Sequence, residues 1–342
     1  MSAAPTQRKG PVKWVRRLFS KKTGVDFLSP MAIEKAQTAK RNKFEKVKLE
    51  KCGSKAWTEV HEFSAAIRSG EYTWEELDID DADIRLKWAG LFHRRKRDPG
   101  TFMMRLKIPN GIMNSEQMRM VAGVANRYDP RIGVVDITTR MNIQIRGVTL
   151  EDATDIFKEV EATGLTTLQS GMDNVRNMVG SPIAGIDPLE QIDTRQLCTD
   201  MQAFITNNNK GCAEWTNLPR KFNIAISGSR DDFAHTMIND LGLQPCENAD
   251  GVMGFNVVVG GLFSIKRVDE SVPLDMWVRP EDAVTLSKAV LRVFRDYGPR
   301  NDRQGSRIMY LVDELGVEKF REMVEAEMKT WDKKAAPEVS DE

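Results

Sequence analysis

The chain contains three segments in which apolar and polar residues alternate with the two-residue period of a β-strand. In residues 136–147, DITTRMNIQIRG, the predicted apolar face consists of Ile137, Thr139, Met141, Ile143 and Ile145. Beside Thr138, the opposite face carries two guanidinium groups and two side-chain amides, from Arg140, Asn142, Gln144 and Arg146. This segment is therefore predicted to be one strand, with an apolar face on a core and a polar face that holds fixed cations.

The same alternation occurs in residues 101–109 and 220–227. The first of these, TFMMRLKIP, places Arg105 and Lys107 opposite the apolar side chains of Phe102, Met104, Leu106 and Ile108. The second, RKFNIAIS, places Lys221 and Asn223 opposite those of Phe222, Ile224 and Ile226. Cations and amides held on rigid strands are suited to binding a ligand rich in carboxylates.

Apolar residues at helical spacing predict helices at about 116–128, 150–162, 195–206, 281–297 and 317–328. A further strand, GFNVVVGGLFSIKR, is interrupted by Gly260 and Gly261, which indicates a bulge or a close backbone approach. Residues 101–161 read strand, helix, strand, helix, the order of half a ferredoxin-like sheet. The predicted fold class is α+β, with a half ferredoxin-like module followed by a larger mixed α/β domain.

Composition and pattern divide the chain into five predicted segments. They are a basic N-terminal arm (1–30), a helical extension (31–92), the half ferredoxin-like domain (93–163), the larger domain (164–331) and an acidic tail (332–342). The first 25 residues hold 7 basic side chains and no acid. Such a start is typical of an organelle-targeting segment, and a solvated basic arm is the alternative.

The totals exclude several classes of function. The 342 residues include 50 basic and 50 acidic side chains, so no net charge attracts nucleic acid or a membrane surface. No apolar run approaches the roughly 20 residues that span a bilayer, and the polar strand faces lack the aromatic residues that stack on RNA bases. The 4 cysteines show no CxxC spacing and the 3 histidines are far apart, so neither a disulfide framework nor a zinc site is predicted.

Cations are also concentrated in two loops. The stretch SGMDNVRNMVGSP carries Arg176 between glycines, and PRNDRQGSR carries Arg300, Arg303 and Arg307. Each feature alone fits a capped turn or an ordinary solvated face, because half-exposed sheets have polar outer faces by default. Their coincidence favours a cavity for a polycarboxylate or a small oxyanion, since no acid is adjacent in sequence to Arg105, Arg140, Arg146, Arg176, Lys221 or Arg307.

Several long motifs, in consistent order between about residues 80 and 331, resemble those of the siroheme-dependent nitrite and sulfite reductases. They are RLKWAGLFHRRKRDPGTFMMRLKIPNG, DITTRMNIQIRG, GLTTLQSGMDNVRNMVGSPIAGIDP, NLPRKFN, GFNVVVGGLFSIKR and LVDELGVEKFR. The similarity is greatest to the ferredoxin-dependent nitrite reductases within that family. It implies a six-electron reduction of nitrite to ammonium in nitrate assimilation, with ferredoxin as electron donor and with siroheme and a 4Fe-4S cluster as cofactors.

The resemblance also assigns roles by motif position. It places Arg105, Arg176 and Lys221 around the bound anion. Asn223 stands where sulfite reductases usually carry a second lysine, and one cation fewer suits singly charged nitrite better than doubly charged sulfite. The siroheme carboxylates would be bound by Arg140, Asn142, Gln144, Arg146, Arg220 and Arg307. No residue of this chain is predicted to ligate a metal.

The chain departs from the family pattern in its cysteines, because the family carries its cluster ligands as closely spaced pairs in a second half. We therefore expect this chain to be the N-terminal half of the family protein and inactive alone. It would be either a truncated product or a subunit that pairs with a separate C-terminal half. The alternatives are an assimilatory sulfite reductase and a non-catalytic siroheme-binding half-protein. The expected location is the chloroplast stroma, or the cytoplasm of a photosynthetic bacterium.

Overall fold

The computed structural model describes residues 24–128 and 133–332. Residues 1–23 of the predicted basic arm, and the predicted acidic tail from residue 333 onward, lie outside this range. The described residues form an α+β fold, as predicted, with two four-stranded sheets and helices packed on both. Within these residues, no helix combines the length and the apolar character needed to cross a bilayer.

The described residues form ten α-helices. In chain order these are Pro30–Gln37 (α1), Lys43–Glu50 (α2), Ala56–Arg68 (α3), Ile79–Asp83 (α4), Ser115–Tyr128 (α5), Leu150–Ala162 (α6), Arg195–Thr206 (α7), Ala283–Tyr297 (α8), Ile308–Leu315 (α9) and Val317–Asp332 (α10). All five predicted helices are confirmed. Those at 150–162 and 195–206 have the predicted bounds, and the other three differ by one to four residues at an end.

The same residues form ten strands. They are Leu91–His93 (β1), Phe102–Leu106 (β2), Val135–Ile137 (β3), Ile143–Val148 (β4), Ile224–Ile226 (β5), Leu241–Glu247 (β6), Met253–Val259 (β7), Leu262–Phe263 (β8), Val268–Asp269 (β9) and Val272–Val278 (β10). The predicted break at Gly260 and Gly261 is confirmed, because β7 ends before these glycines and β8 begins after them. Gly260 has φ +93°, and a Cβ on Gly261 would lie 2.4 Å from the carbonyl oxygen of Met237.

The first sheet is antiparallel, in the order β1-β2-β4-β3. The predicted apolar face of β2 is confirmed, because Phe102, Met104 and Leu106 are all buried. They share one core with the inward faces of α5 and α6. Helix α6 begins where it does because the Thr149 side chain accepts a hydrogen bond from the backbone N–H of Asp152, which satisfies a free amide of the first turn.

The prediction of a single strand over residues 136–147 is wrong. This segment is a hairpin in which β3 and β4 are antiparallel and residues 138–142 form the turn. Met141 has φ +60°, and its N–H donates to the carbonyl of Thr138 at 2.8 Å. The Thr138 hydroxyl accepts hydrogen bonds from the backbone N–H groups of Arg140 and Asn142. These two bonds stabilise a turn, and residue alternation does not reveal them. Ile137 is 73% exposed instead of buried.

The second sheet has the order β10-β7-β6-β5, with β5 parallel to β6 and the other pairs antiparallel. Its core includes the apolar faces of α7, α8, α9 and α10. The predicted strand at 222–227 is confirmed only over Ile224–Ile226, and all three of these residues are buried, so it has no polar outer face.

A connecting segment, residues 174–179, joins the two sheets. It runs alongside β5 through bridges from Val175 to Phe222 and from Val179 to Ala225. On its other side, Asn177 Nδ2 donates to the carbonyl of Ile108 at 2.6 Å, beyond the end of β2. The ends of β2, the β3–β4 turn and residues 221–223 are therefore held close together.

Buried ion pairs attach the N-terminal helices to this body. Glu45 on α2 accepts from Arg300 Nη1 at 2.9 Å, and its other oxygen lies 2.5 Å from Lys48 Nζ. All three side chains are buried. Arg300 also donates to the side chain and the backbone carbonyl of Asn217. The helical extension is thus fixed by charge pairing as well as by apolar contacts.

Replacement of Glu45 by alanine is expected to lower the free energy of unfolding by about 3–5 kcal/mol, because Arg300 would stay buried without its carboxylate partner. Urea unfolding followed by circular dichroism measures this change. The matched control is Lys46→Ala on the same helix. Lys46 is exposed and its ion pair with Glu50 spans 4.0 Å, so a change below about 0.5 kcal/mol is expected. A loss for Glu45→Ala as small as that of the control would contradict this role.

Candidate functional site

A cavity of about 220 Å³ lies where strand β2, the β3–β4 turn and the connecting segment meet. It is lined by Arg105, Thr138, Thr139, Arg140, Asn142, Arg176 and Lys221. Each of the three alternating segments contributes to this wall, together with the loop that carries Arg176. The fold therefore brings four of the predicted cations to one place.

Arg105 extends from β2 into this wall. Its guanidinium carbon lies 4.3 Å from the centroid of the Phe92 ring, and its Nη1 donates to the carbonyl of Ser170 at 3.4 Å. When the Gln144 amide is oriented with its oxygen toward Arg105, that oxygen accepts from Nε at 3.2 Å and from Nη2 at 3.0 Å. Burial, followed by repulsion from Arg140, lowers the pKa of Arg105 to about 10, so the group stays charged at neutral pH.

Arg176 is held beside Arg105 by carbonyl groups. Its Nη1 donates to the carbonyl of Ser170 at 3.2 Å and its Nη2 to that of Met172 at 2.8 Å. Its Nε is buried and has no hydrogen-bond partner among the described residues. Burial and the neighbouring Arg105 lower the pKa of Arg176 to about 9. The two guanidinium groups share one carbonyl and repel each other, so an anion between them would be stabilised.

Two amide side chains fix the turn that carries Arg140. Asn142 Nδ2 donates to the carbonyl of Leu106 at 2.7 Å, and Asn177 Nδ2 donates to the carbonyl of Arg140 at 2.9 Å. Asn142 is thus committed to holding the backbone. Burial lowers the pKa of Arg140, and Asp240 partly offsets this effect.

Asn223 lies behind the cavity wall, between two arginines. With its side-chain oxygen facing them, it accepts from Arg140 Nη2 at 2.9 Å and from Arg307 Nη2 at 3.2 Å. Arg307 makes two bonds of 2.7 Å to the buried carboxylate of Asp240, which also accepts from the backbone N–H of Asn223. Arg307 is therefore neutralised within the protein.

A second buried carboxylate, Asp173, is surrounded by cations. Arg303 binds it through two nitrogens at 2.7 and 2.8 Å, Lys48 Nζ lies at 3.3 Å, and Arg220 lies at 3.6 Å. Burial acts to raise the pKa of Asp173, but Lys48 and Arg303 outweigh it and hold this pKa well below its usual range. Arg220 consequently has a carboxylate partner close by.

Lys221 completes the cationic wall. Burial, and then repulsion from Arg307 and Arg176, lower its pKa to about 8. Within the described residues, no carboxylate oxygen lies within 4.0 Å of Arg105, Arg140, Arg176 or Lys221. These four side chains form a partly desolvated positive surface that favours a bound anion.

The structure places Arg146 away from this cavity. Its Nε donates to the carboxylate of Asp136 at 2.7 Å, across the β3–β4 pair. It lines a separate cavity of about 370 Å³ together with residues 92–97, Met103 and Gln144. The alternation of residues 136–147 could not separate Arg146 from Arg140, because it treated a hairpin as a straight strand.

Sequence reasoning did not select Lys107 as a site residue. Lys107 is buried just beyond the end of β2, two residues after Arg105, and its Nζ donates to the carbonyl of Val175 at 3.3 Å. The alternation predicts that Lys107 shares the polar face of the strand with Arg105, so the sequence did indicate a second cation near the site. It gave no reason to distinguish a buried ammonium group from a solvated one.

Residues 94–163 match the model of the nitrite/sulfite reductase ferredoxin-like half domain, and residues 171–331 match that of the nitrite and sulphite reductase 4Fe-4S domain. The chain is 51% identical over 288 residues to the chloroplastic ferredoxin–nitrite reductase of Arabidopsis thaliana, covering 84% of this chain and 49% of that protein. It is 51% identical over 287 residues to the ferredoxin–nitrite reductase of Leptolyngbya laminosa, covering 84% and 54%.

Among solved structures, the NirA protein of Mycobacterium tuberculosis matches with a TM-score of 0.70 and 26% identity, covering 79% of this chain and 50% of that one. The chain spans about half the length of the curated relatives it matches. Within the part of the chain that the structure describes, no group of three or more histidine, cysteine, aspartate or glutamate side chains is arranged to hold a metal. Cys52 and Cys198 are buried, and Cys212 and Cys246 are half-buried.

The affinity of the cavity for sulfate is expected to fall as the pH rises through about 8, because Lys221 then loses its proton. Loss of one charged contact corresponds to roughly a tenfold weaker affinity. Isothermal titration calorimetry between pH 7 and pH 8.5 measures the effect, because Arg176, with a pKa of about 9, stays mostly protonated over this range. Lys221→Arg keeps the positive charge over this range and should lose the decline centred near pH 8. An identical decline in this variant would show that Lys221 is not its source.

Proposed function

This chain belongs to the siroheme-dependent nitrite and sulphite reductase family, and we propose that it binds siroheme and nitrite at the basic cavity as part of an assimilatory nitrite reductase. The observation that carries the proposal is the group of four cations at the cavity without a carboxylate partner among the described residues. Siroheme carries several carboxylates and nitrite is an anion, so both match this surface in charge.

The side chains at the cavity fit siroheme in their charge, because the cofactor carries carboxylates. Arg140 has no carboxylate partner among the described residues, and it would hold a siroheme carboxylate. Arg220 and Arg307 already bind Asp173 and Asp240, so they would act mainly by orienting their neighbours. The cavity of about 220 Å³ is smaller than the roughly 300–1,000 Å³ of typical ligand sites. These residues would therefore form one wall of the cofactor site.

The anion would lie between Arg105 and Arg176. Both guanidinium groups are oriented by the Ser170 carbonyl, and Arg176 Nε has no hydrogen-bond partner in the described residues. When bound, siroheme supplies an iron centre at which the anion is reduced. The role of this chain would be to hold the anion by charge-assisted hydrogen bonds and to provide protons. Lys221 suits proton donation, because burial and the surrounding arginines lower its pKa to about 8.

Asn223 supports nitrite over sulfite as the substrate. The amide of Asn223, whose oxygen lies 2.9 Å from Arg140 Nη2, is neutral. A lysine at this position would add one cation to the site. A singly charged anion needs less compensation than a doubly charged one. The relatives described above are also named for nitrite.

Ferredoxin is the proposed electron donor, and a plastid the proposed location, both carried over from the names of the relatives. The family description also names a 4Fe-4S cluster, through which electrons from ferredoxin would reach the anion. The division into domains at 93–163 and 164–331 stays a proposal. So does the prediction that this chain alone is inactive, which nitrite consumption with reduced ferredoxin would test.

Arg140→Gln is expected to weaken siroheme binding by about tenfold or more, because one charge-assisted hydrogen bond to a carboxylate is lost. Titration of the purified chain with siroheme, followed by visible absorbance, measures the dissociation constant. Arg146→Gln should have a clearly smaller effect, because Arg146 pairs with Asp136. Arg68→Gln, at a surface pair with Asp155, is the control and should leave binding unchanged. Equal effects of Arg140→Gln and Arg68→Gln would refute the assignment.

A further inference from the structure

Lys107 is a buried cation that the proposed function does not use. It is 1% exposed, and its Nζ donates to the carbonyl oxygen of Val175 at 3.3 Å. No carboxylate within 4.0 Å of it is found in the described residues. An ammonium group that is buried against a neutral acceptor is held in its charged form only weakly. Burial, followed by repulsion from Arg176, lowers the pKa of Lys107 to about 7.

The side chain of Lys107 lies between two cavities. Val175, which accepts its hydrogen bond, is adjacent in sequence to Arg176 on the wall of the anion cavity. On the other side, Lys107 lines a larger cavity of about 640 Å³ beside helix α7. Gln202, which is 4% exposed, also lines this larger cavity. Both polar atoms of its amide lack a hydrogen-bond partner among the described residues. This space is polar and roomy enough to admit water.

The charged groups around Lys107 determine whether anion binding favours its protonated or its neutral form. They are Arg105 on the same stretch of chain, Arg176 in the connecting segment, and the ion pair between Asp193 and Arg195 at the start of α7. An anion bound at Arg105 and Arg176 would cancel the repulsion from Arg176. The protonated form of Lys107 would then be favoured over the neutral form.

We propose that Lys107 is a proton-binding group behind the anion cavity. It takes up a proton from water in the larger cavity when an anion binds. The inference rests on the anion site of the proposed function. Lys107 would not touch the anion itself, because its Nζ donates to the backbone carbonyl of Val175, the residue before Arg176. Reduction of nitrite to ammonium consumes protons, and this arrangement couples the arrival of the substrate to the arrival of a proton.

Nuclear magnetic resonance of the full chain, with lysines carbon-13-labelled at Cε, tests this directly. The Lys107 signal is identified by its disappearance in Lys107→Arg. It should titrate near pH 7 without ligand, and its midpoint should rise by about 1 pH unit with saturating nitrite. Lys210, an exposed lysine at a neighbouring cavity, is the control, and its signal should be the same with and without nitrite.

Calorimetry supplies a second readout that a purely structural role would not move. At pH 7, in two buffers of different ionisation enthalpy, nitrite binding should take up about 0.4 of a proton in the wild type and almost none in Lys107→Arg. Lys221 is mostly protonated at this pH and contributes little.

The possible failures can be distinguished. A Lys107 midpoint above about pH 9.5 would overturn the inference, and so would a midpoint that nitrite leaves unchanged while it shifts the guanidinium signals of Arg105 and Arg176. Either result leaves the proposed anion site standing. If nitrite shifts neither guanidinium signal, the anion site is wrong and the inference fails with it.

Discussion

The cavity depends on cations that are buried together and held in place mainly by neutral acceptors. Arg105 and Arg176 share the carbonyl of Ser170, and Lys107 donates to the carbonyl of Val175. Carbonyl groups orient a guanidinium or ammonium group without cancelling its charge, whereas a carboxylate would do both. The protein thus retains a positive field at a partly desolvated site, where a bound anion provides the missing compensation.

The carboxylates of this region lie one layer further from the cavity. Asp240 neutralises Arg307, and Asp173 accepts from Arg303 with Lys48 and Arg220 nearby. Arg307 in turn donates to the Asn223 amide, which also contacts Arg140. Neutralised pairs of this kind stiffen the wall, because breaking either pair would leave a charge buried alone. The cations that have no carboxylate partner among the described residues can then remain in a narrow range of orientations before any ligand arrives.

The architecture places these groups through the connecting segment. Residues 174–179 hydrogen-bond to β5 on one side, while Asn177 reaches the carbonyls of Ile108 and Arg140 on the other. This one stretch therefore aligns the end of the first sheet with the start of the strand in the second. It also separates the two cavities, with Arg176 facing one and Lys107 lining the other. A change in charge at one cavity therefore alters the electrostatic potential at the other, because a single short segment separates them.

The amino-acid pattern alone determined the α+β class, the bounds of α6 and α7, the buried face of β2 and the family resemblance, because these depend on periodicity and on local motifs. It also indicated which cations were unusual, since they have no acidic neighbour in sequence. Only the tertiary structure decided which cations have a carboxylate partner. Arg307 forms an ion pair with Asp240, and Arg220 lies near Asp173. Arg146 pairs with Asp136 across a hairpin that the alternation predicted to be one strand. Ion pairs form between groups that folding brings together, and the separation of two residues along the chain does not reveal that distance.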